Sequence, residues 1–481
     1  MDFFIDGKWT PATAGRTMPV VNPATGERID SVPMGDAEDA DRAIAAAAGA
    51  FKQWRRVPMA RRAKLQHLAA QRLRERADEF ARLLTQELGR PLHGAKVEIE
   101  RSADLLDYFA EEGLRLSGEM PMINEAHERV LVVKEPVGVV VAIAPFNYPI
   151  TLLTFKLGAA LMTGCTVVAK PASDTPLTTL LLAELFSQVG YPPGVFNALT
   201  GSGGELGRAL VEHPTPRKIG FTGSSPAGKR IAAMAAASNK RLTLEMGGQS
   251  AAIVCADANL DVAVPALVRH AFANSGQFCY RVNRIYVAPE IYRQFVDRFG
   301  AGAAALTVGN GLDPGCDLGP MVNEEIFSTS VDHVADALAQ GARLAAGGAR
   351  LTGGAYDRGF FFPPTVLVDT QPAMKIMREE TFGPVVGVMP FASLPAAVEM
   401  ANDTPFGLAG YVFSRDLGVA LQLAEELEAG SVWVNDIHRS YNMVPFGGYK
   451  ESGLGREKSR YGLEAYLELK TIYLSTEVGR V

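Results

Sequence analysis

Between residues 137 and 236 the chain repeats one pattern. Short apolar runs at 137–143, 166–169, 195–199 and 218–221 are each followed by a helical stretch, at 147–164, 175–189, 205–210 and 226–236. A strand that is apolar at successive positions suits a sheet covered on both faces. Strand and helix in alternation predict an α/β fold, a parallel sheet flanked by helices, and such sheets bind ligands at the C-terminal ends of their strands. The second half repeats the style less regularly. Strands are expected at 251–254, 284–287, 385–390 and 410–413, and helices at 263–273, 291–299 and 396–402, which predicts a second α/β domain. Ahead of both, residues 4–33 read as short strands and turns. Asp36 reads as the cap of a first helix, with further helices at 65–84 and 92–117. The arginine-rich face of the 65–84 helix reads as solvated. Residues 129–135 and 465–475 read as exposed strands, and a terminal strand with an unpaired edge invites pairing across a subunit interface.

A chain of 481 residues exceeds what one core supports, so two or three domains are expected. The net charge of −6 gives no support for nucleic-acid binding. Cys165, Cys255, Cys279 and Cys316 are scattered, which points to neither a zinc site nor a disulfide framework. The first residues do not read as a signal peptide and no apolar run is long enough to span a membrane, so a soluble, cytoplasmic setting is expected.

Two stretches carry reactive groups. Leu244-Glu245-Met246-Gly247-Gly248 places a carboxylate beside two glycines, and Gly276-Gln277-Phe278-Cys279 places a thiol just after a glycine. A thiolate attacks a carbonyl carbon, and a carboxylate can activate the water that later releases the acyl group. Taken alone, Cys279 would read as a small buried apolar side chain and Glu245 as a surface carboxylate. A glycine loop, 220–230, follows a strand and opens a helix, where free amides attract phosphate. Gly223 to Lys229 also fits a nucleotide-triphosphatase loop. That reading fails at Arg230, where a magnesium-binding Ser or Thr is required, and Pro226 removes an amide from the cradle.

Both stretches resemble signature segments of the aldehyde dehydrogenase superfamily. So do Ala144-Pro145-Phe146-Asn147-Tyr148-Pro149, Lys170-Pro171-Ala172-Ser173, Phe221-Thr222-Gly223-Ser224, Glu379-Glu380-Thr381-Phe382-Gly383-Pro384 and Pro445-Phe446-Gly447-Gly448-Tyr449-Lys450. The motifs follow the family's order over nearly the whole chain. The resemblance implies a Rossmann-like cofactor domain (1–121 and 141–246), a catalytic α/β domain (247–453) and a small oligomerisation segment (122–140 and 454–481), giving homodimers or homotetramers. It implies that Cys279 is the nucleophile, that Asn147 and the Cys279 amide hold the oxyanion, and that Glu245, ionised at neutral pH, activates water. Relatives that pass the acyl group to coenzyme A generally lack that glutamate, so hydrolysis to the free acid is expected. No metal is required.

The resemblance also places Lys170, Ser173, Phe221, Gly223, Ser224, Glu380 and Phe382 against NAD or NADP. A glutamate at position 173 would repel a 2′-phosphate, so Ser173, beside Lys170, favours NADP. Relatives acting on succinic semialdehyde carry arginines where this chain has Phe155 and Ala273. An apolar, aromatic tunnel from residues including Phe146, Phe155, Phe278, Tyr280 and Phe446 predicts an aromatic or medium-chain aldehyde. The alternative is an anionic aldehyde read by Arg439, beside His438. A non-catalytic scaffold with this fold is the alternative of another class.

Overall fold

The computed structural model describes residues 1–437 and 439–476. His438 and residues 477–481, the end of the expected oligomerisation segment, lie outside the described residues.

The repeated units of the first half build one eight-stranded sheet. Its centre is parallel, in the order Phe196–Ala198, Thr166–Lys170, Val139–Ile143, Lys218–Thr222 and Arg241–Glu245. The three middle strands are buried along their whole length, as their unbroken apolar character requires. Antiparallel strands close both edges. Phe3–Ile5 pairs with Phe196–Ala198, and Gly453–Leu454 pairs with the strand that ends at Glu245. Loops from the C-terminal ends of these strands carry Asn147, Ser173, Ser224 and Glu245 toward one side.

The second sheet has seven strands, in the order Arg343–Ala346, Thr365–Val368, Val385–Pro390, Val282–Val287, Ser250–Val254, Ala409–Phe413 and Ser431–Val434. All but the first pair are parallel. Cys279 lies in the loop that enters the strand Val282–Val287.

Asp36 caps the helix Ala37–Trp54, accepting from the amides of Glu38 and Asp39. The helix expected at 65–84 is two helices, Met59–Glu75 and Ala77–Leu88, separated at Arg76. Its arginines are solvated, paired as Arg72–Glu75, Arg74–Asp104 and Arg76–Glu79. The helix expected at 205–210 starts instead as a wide turn at Gly203–Gly207 and continues as Arg208–Glu212.

Two helices that lead from the first sheet lack a capping side chain of their own, and each is capped across space by a buried glutamate. Glu98 accepts from the amides of Ile150 (3.1 Å) and Thr151 (3.2 Å) at the start of Pro149–Thr163. Glu87 accepts from the amides of Leu177 (2.8 Å) and Thr178 (3.1 Å) at the start of Leu177–Val189. An anion there satisfies free amides and complements the helix dipole.

The two expected exposed strands form a two-stranded antiparallel ribbon, Glu128–Pro136 against Leu467–Ser475, in register from Leu467–Pro136 to Ser475–Glu128. Leu469 and Tyr473 project from it into solvent. Among the described residues no helix is long and apolar enough to cross a membrane.

Candidate active site

Cys279 is held by a loop with left-handed backbone at Asn274, Ser275 and Gly276. An added Cβ at Gly276 would lie 2.2 Å from the Gly383 carbonyl oxygen, so glycine is required there. Asn274 fixes the loop. Its side-chain amide donates to the backbone carbonyls of Asn147 and Gln277, each at 3.2 Å. Gln277 donates to the Asn274 carbonyl and accepts from the Val322 amide, and Ser275 donates to the Gly319 carbonyl at 2.7 Å. Asn147 is thereby tied to the segment that bears Cys279.

Two cavities meet at this pair. One, of about 430 Å³, is lined by Cys279 and Asn147 together with Tyr148, Phe155, Tyr280 and Phe446. The other, of about 240 Å³, is lined by Cys279 and Asn147 together with Gly223, Ser224, Glu380 and Phe382. The buried Asn147 side chain has no partner for its Oδ1. A reactant in the first cavity and a cofactor in the second would therefore face each other across the thiol.

The second cavity fits a dinucleotide. The helix Ser225–Ala236 begins beside it with no side-chain cap, leaving first-turn amides available for phosphate. Gly223 packs on the Phe221 ring, which a Cβ would approach to 2.5 Å. Glu380 is half-buried and accepts from the Gly248 amide at 2.9 Å. Burial pushes its carboxyl up to about 7, against the opposing effects of that amide and Arg281. Farther along the sheet edge, Lys170 is buried and donates to the Pro171 carbonyl at 3.1 Å, while Ser173 is exposed. Burial pushes the Lys170 ammonium down to about 8.

The acid–base groups are not in their ordinary states. Burial, followed by the negative charges of Glu380 and Glu245, pushes the Cys279 thiol up. Glu245 is also buried, with both carboxylate oxygens unpartnered. Burial and the neighbouring Glu457 carboxylate raise it well above the usual range. This corrects the expectation of a carboxyl of ordinary pKa. A Cβ on Gly447 would lie 2.8 Å from Glu245 Oε1, so the carboxyl rests against that glycine. Lys156 and Glu457, neither suggested by the sequence reading, form a buried ion pair at 2.8 Å beside it.

The structure redistributes several expected residues. Phe146 lines the cofactor cavity, edge-on to Phe382, and not the substrate cavity. Phe221 is core, beneath Gly223, while Thr222 lines the cavity. Phe278 backs the substrate cavity in edge contact with Tyr148 and Tyr280. Arg439 is exposed, pairs with Asp436 at 2.7 Å and does not line the cavity. The tunnel is less apolar than expected, because Arg90, Arg101, Ser440, Asn442 and Lys458 also line it.

The family model for the aldehyde dehydrogenase family matches residues 9–472. The chain is 44% identical over 471 residues to 3-sulfolactaldehyde dehydrogenase of Pseudomonas putida, covering 98% of this chain and 96% of that one. It is 42% identical over 467 residues to an NADP(+) succinate-semialdehyde dehydrogenase of Escherichia coli, covering 97% and 96%. Among solved structures, betaine aldehyde dehydrogenase of Staphylococcus aureus in complex with NAD+ superposes with a TM-score of 0.97 at 36% identity, covering 100% of this chain and 96% of that one.

Proposed function

The chain belongs to the aldehyde dehydrogenase family, and from that premise we propose that it oxidises a short aldehyde bearing a terminal acid group to the free acid, using NADP in preference to NAD. The observation that carries the reading is that Cys279 and Asn147 line both cavities. Relatives that oxidise sulfolactaldehyde and succinate semialdehyde support the anionic class over the aromatic or medium-chain aldehyde that the tunnel residues predict.

Cys279 Sγ adds to the aldehyde carbon, and the resulting oxyanion is met by the Asn147 side-chain amide and the Cys279 backbone amide. When bound, NADP+ supplies the acceptor for the hydride that leaves as this adduct collapses to a thioester. Glu380 and Phe382 hold and pack the nicotinamide end, and the amides at Ser224 hold the diphosphate. Water then attacks the thioester carbonyl. Glu245 takes a proton from that water, and the C–S bond breaks to give the acid and the Cys279 thiolate. Burial raises both the thiol and the carboxyl, while attack and water activation each need the deprotonated group, a state that the positive charge of a bound nicotinamide would favour. Lys170 and the exposed Ser173 hydroxyl support a 2′-phosphate. The Glu128–Pro136 and Leu467–Ser475 ribbon, with its outward Leu469 and Tyr473, is the surface we assign to self-association.

The test measures NADPH and acid formation with succinate semialdehyde and with butanal, in the presence and absence of coenzyme A, with Cys279→Ala as control. Release of free succinate, lost in the variant, is expected. Exclusive formation of an acyl-coenzyme A thioester would overturn the hydrolytic reading, and turnover of butanal alone would overturn the anionic one.

A further inference from the structure

Phe155 lines the substrate cavity and brings no charge to it, and Ala273 faces a separate surface hollow. The substrate cavity nevertheless holds two cations that no carboxylate among the described residues pairs with. Lys458 is only 2% exposed. Its ammonium donates to the Ser440 hydroxyl and lies 6.0 Å from the centroid of the Phe155 ring. Arg101, on the helix Leu92–Gly113, is exposed at the cavity wall and makes no hydrogen bond or ion pair among the described residues. Its charge is felt at both the Tyr280 hydroxyl and Lys458.

The nearby acids are engaged elsewhere. Glu98 binds Arg90 at 2.6 Å and two helix amides, Asp104 binds Arg74 at 2.7 Å, and Glu457 binds Lys156. Burial and, after it, the Arg101 charge push the Lys458 ammonium down to about 8.

Lys458 is also held in a backbone conformation that favours glycine, with φ +60° and ψ 178°. Four backbone bonds hold the segment. Phe446 and Glu457 exchange amide bonds at 2.9 and 2.8 Å, the Gly462 amide donates to the Lys458 carbonyl at 2.8 Å, and the Ser459 amide donates to the Asn442 carbonyl at 2.9 Å. A glycine would sit there without strain, so the lysine side chain is maintained against the backbone preference, aimed into the cavity.

We propose that Lys458 and Arg101, with the Ser440 hydroxyl, form the subsite that binds the terminal acid group of the substrate, a carboxylate or sulfonate, and so determine its specificity. The proposal rests on the anionic-aldehyde reading above. Lys458 supplies a positive charge over the Phe155 ring. Arg101 closes the subsite from the helix opposite. The aldehyde carbon then points inward to Cys279, with the acid group outward.

Two variants test it, Lys458→Gly and Arg101→Met. Lys458→Gly relieves the backbone and Arg101→Met changes an exposed side chain, so both fold, as thermal melting checks. Steady-state kinetics compare succinate semialdehyde, 3-oxopropanesulfonate and butanal. Each variant is expected to raise KM for the two anionic aldehydes at least tenfold, with kcat little changed. Butanal kcat/KM is expected to stay within twofold. The carboxylate and sulfonate arms show which acid the subsite prefers. Equal losses for butanal and the anionic aldehydes, or unchanged KM for the anionic ones, overturn the subsite. If the unmodified enzyme prefers butanal over both anions, the anionic-aldehyde reading itself falls. If it prefers the anions and the variants do too, only the assignment to Lys458 and Arg101 falls.

Discussion

The Lys156 ammonium sits 2.8 Å from the Glu457 carboxylate, and neither side chain reaches solvent. Lys156 is further held by the Thr222 hydroxyl at 2.6 Å and the Leu152 carbonyl at 3.2 Å. This fixed pair stands beside Glu245, whose carboxyl is raised first by burial and then by the Glu457 charge. Glu245 can accept a proton from water only when ionised, that is, above its own pKa. Glu457→Gln removes the like charge and leaves Lys156, so the Glu245 pKa falls. The acid limb of thioester hydrolysis, followed by single-turnover kinetics after the NADPH burst, is expected to move to lower pH. An unmoved limb would show that Glu457 does not set the base.

Asn274 joins the two halves of the reaction centre without touching substrate. Asn274→Ala removes the bonds to the Asn147 and Gln277 carbonyls. A displacement of the oxyanion donor by about 1 Å costs on the order of a hundredfold in rate. The expected result is a kcat loss of that order with KM little changed. A matching loss in KM would point to a collapsed cavity.

Ser173→Glu restores a negative charge beside Lys170. The ratio of kcat/KM with NADP to that with NAD is expected to fall by at least about tenfold, equivalent to roughly 1.4 kcal/mol. A ratio that stays put would place the 2′-phosphate away from residue 173.

Lys170 gives a pH test of the same contact. Burial lowers its ammonium to about 8, so the free enzyme carries the charge below that pH and loses it above. A 2′-phosphate binds the protonated form. The Kd for NADP is therefore expected to rise as pH passes through about 8, by up to tenfold per unit, while that for NAD stays level. Parallel titration of both cofactors by fluorescence quenching separates this from a general effect of pH.

Glu87→Ala leaves the amides of Leu177 and Thr178 and the Thr178 hydroxyl without their buried acceptor. The expected loss is about 2–4 kcal/mol in urea unfolding. Catalytic constants of the folded variant should be retained, because Glu87 lies away from both cavities.

Local signals made the parallel strands and the nucleophile legible in the sequence. The apolar runs at 137–143 and 166–169 read as doubly covered strands and form Val139–Ile143 and Thr166–Lys170, and Gly276 before Cys279 is needed where a Cβ would strike the Gly383 carbonyl. Non-local pairings have no such signature. Lys156 and Glu457 read as two unremarkable charges until the fold brings them together. Lys458 and Arg101 are likewise distant in the chain, and nothing near Lys458 announces a glycine-like backbone. Arg439 misled because a charge in a loop beside an aromatic cluster is compatible with either side of the wall, and Asp436, three residues before it, takes it outward. Phe146 sits at a boundary between two cavities, where a one-residue change of direction decides which ligand it meets. The helices Glu324–Ala339 and Leu417–Glu426 were missed although Asn323 and Asp416 cap them.

The strand Gly453–Leu454, which closes the first sheet next to Glu245, comes from the end of the chain, as do Glu457, Lys458 and the ribbon strand Leu467–Ser475. These segments leave the ribosome after the parallel strands of both sheets, which emerge before them. A nascent chain can thus present Cys279 and Arg101 while the wall behind its base and the Lys458 cation of its substrate cavity are still missing. Translation that stops before Gly453 leaves a thiol-bearing protein without the surroundings of Glu245.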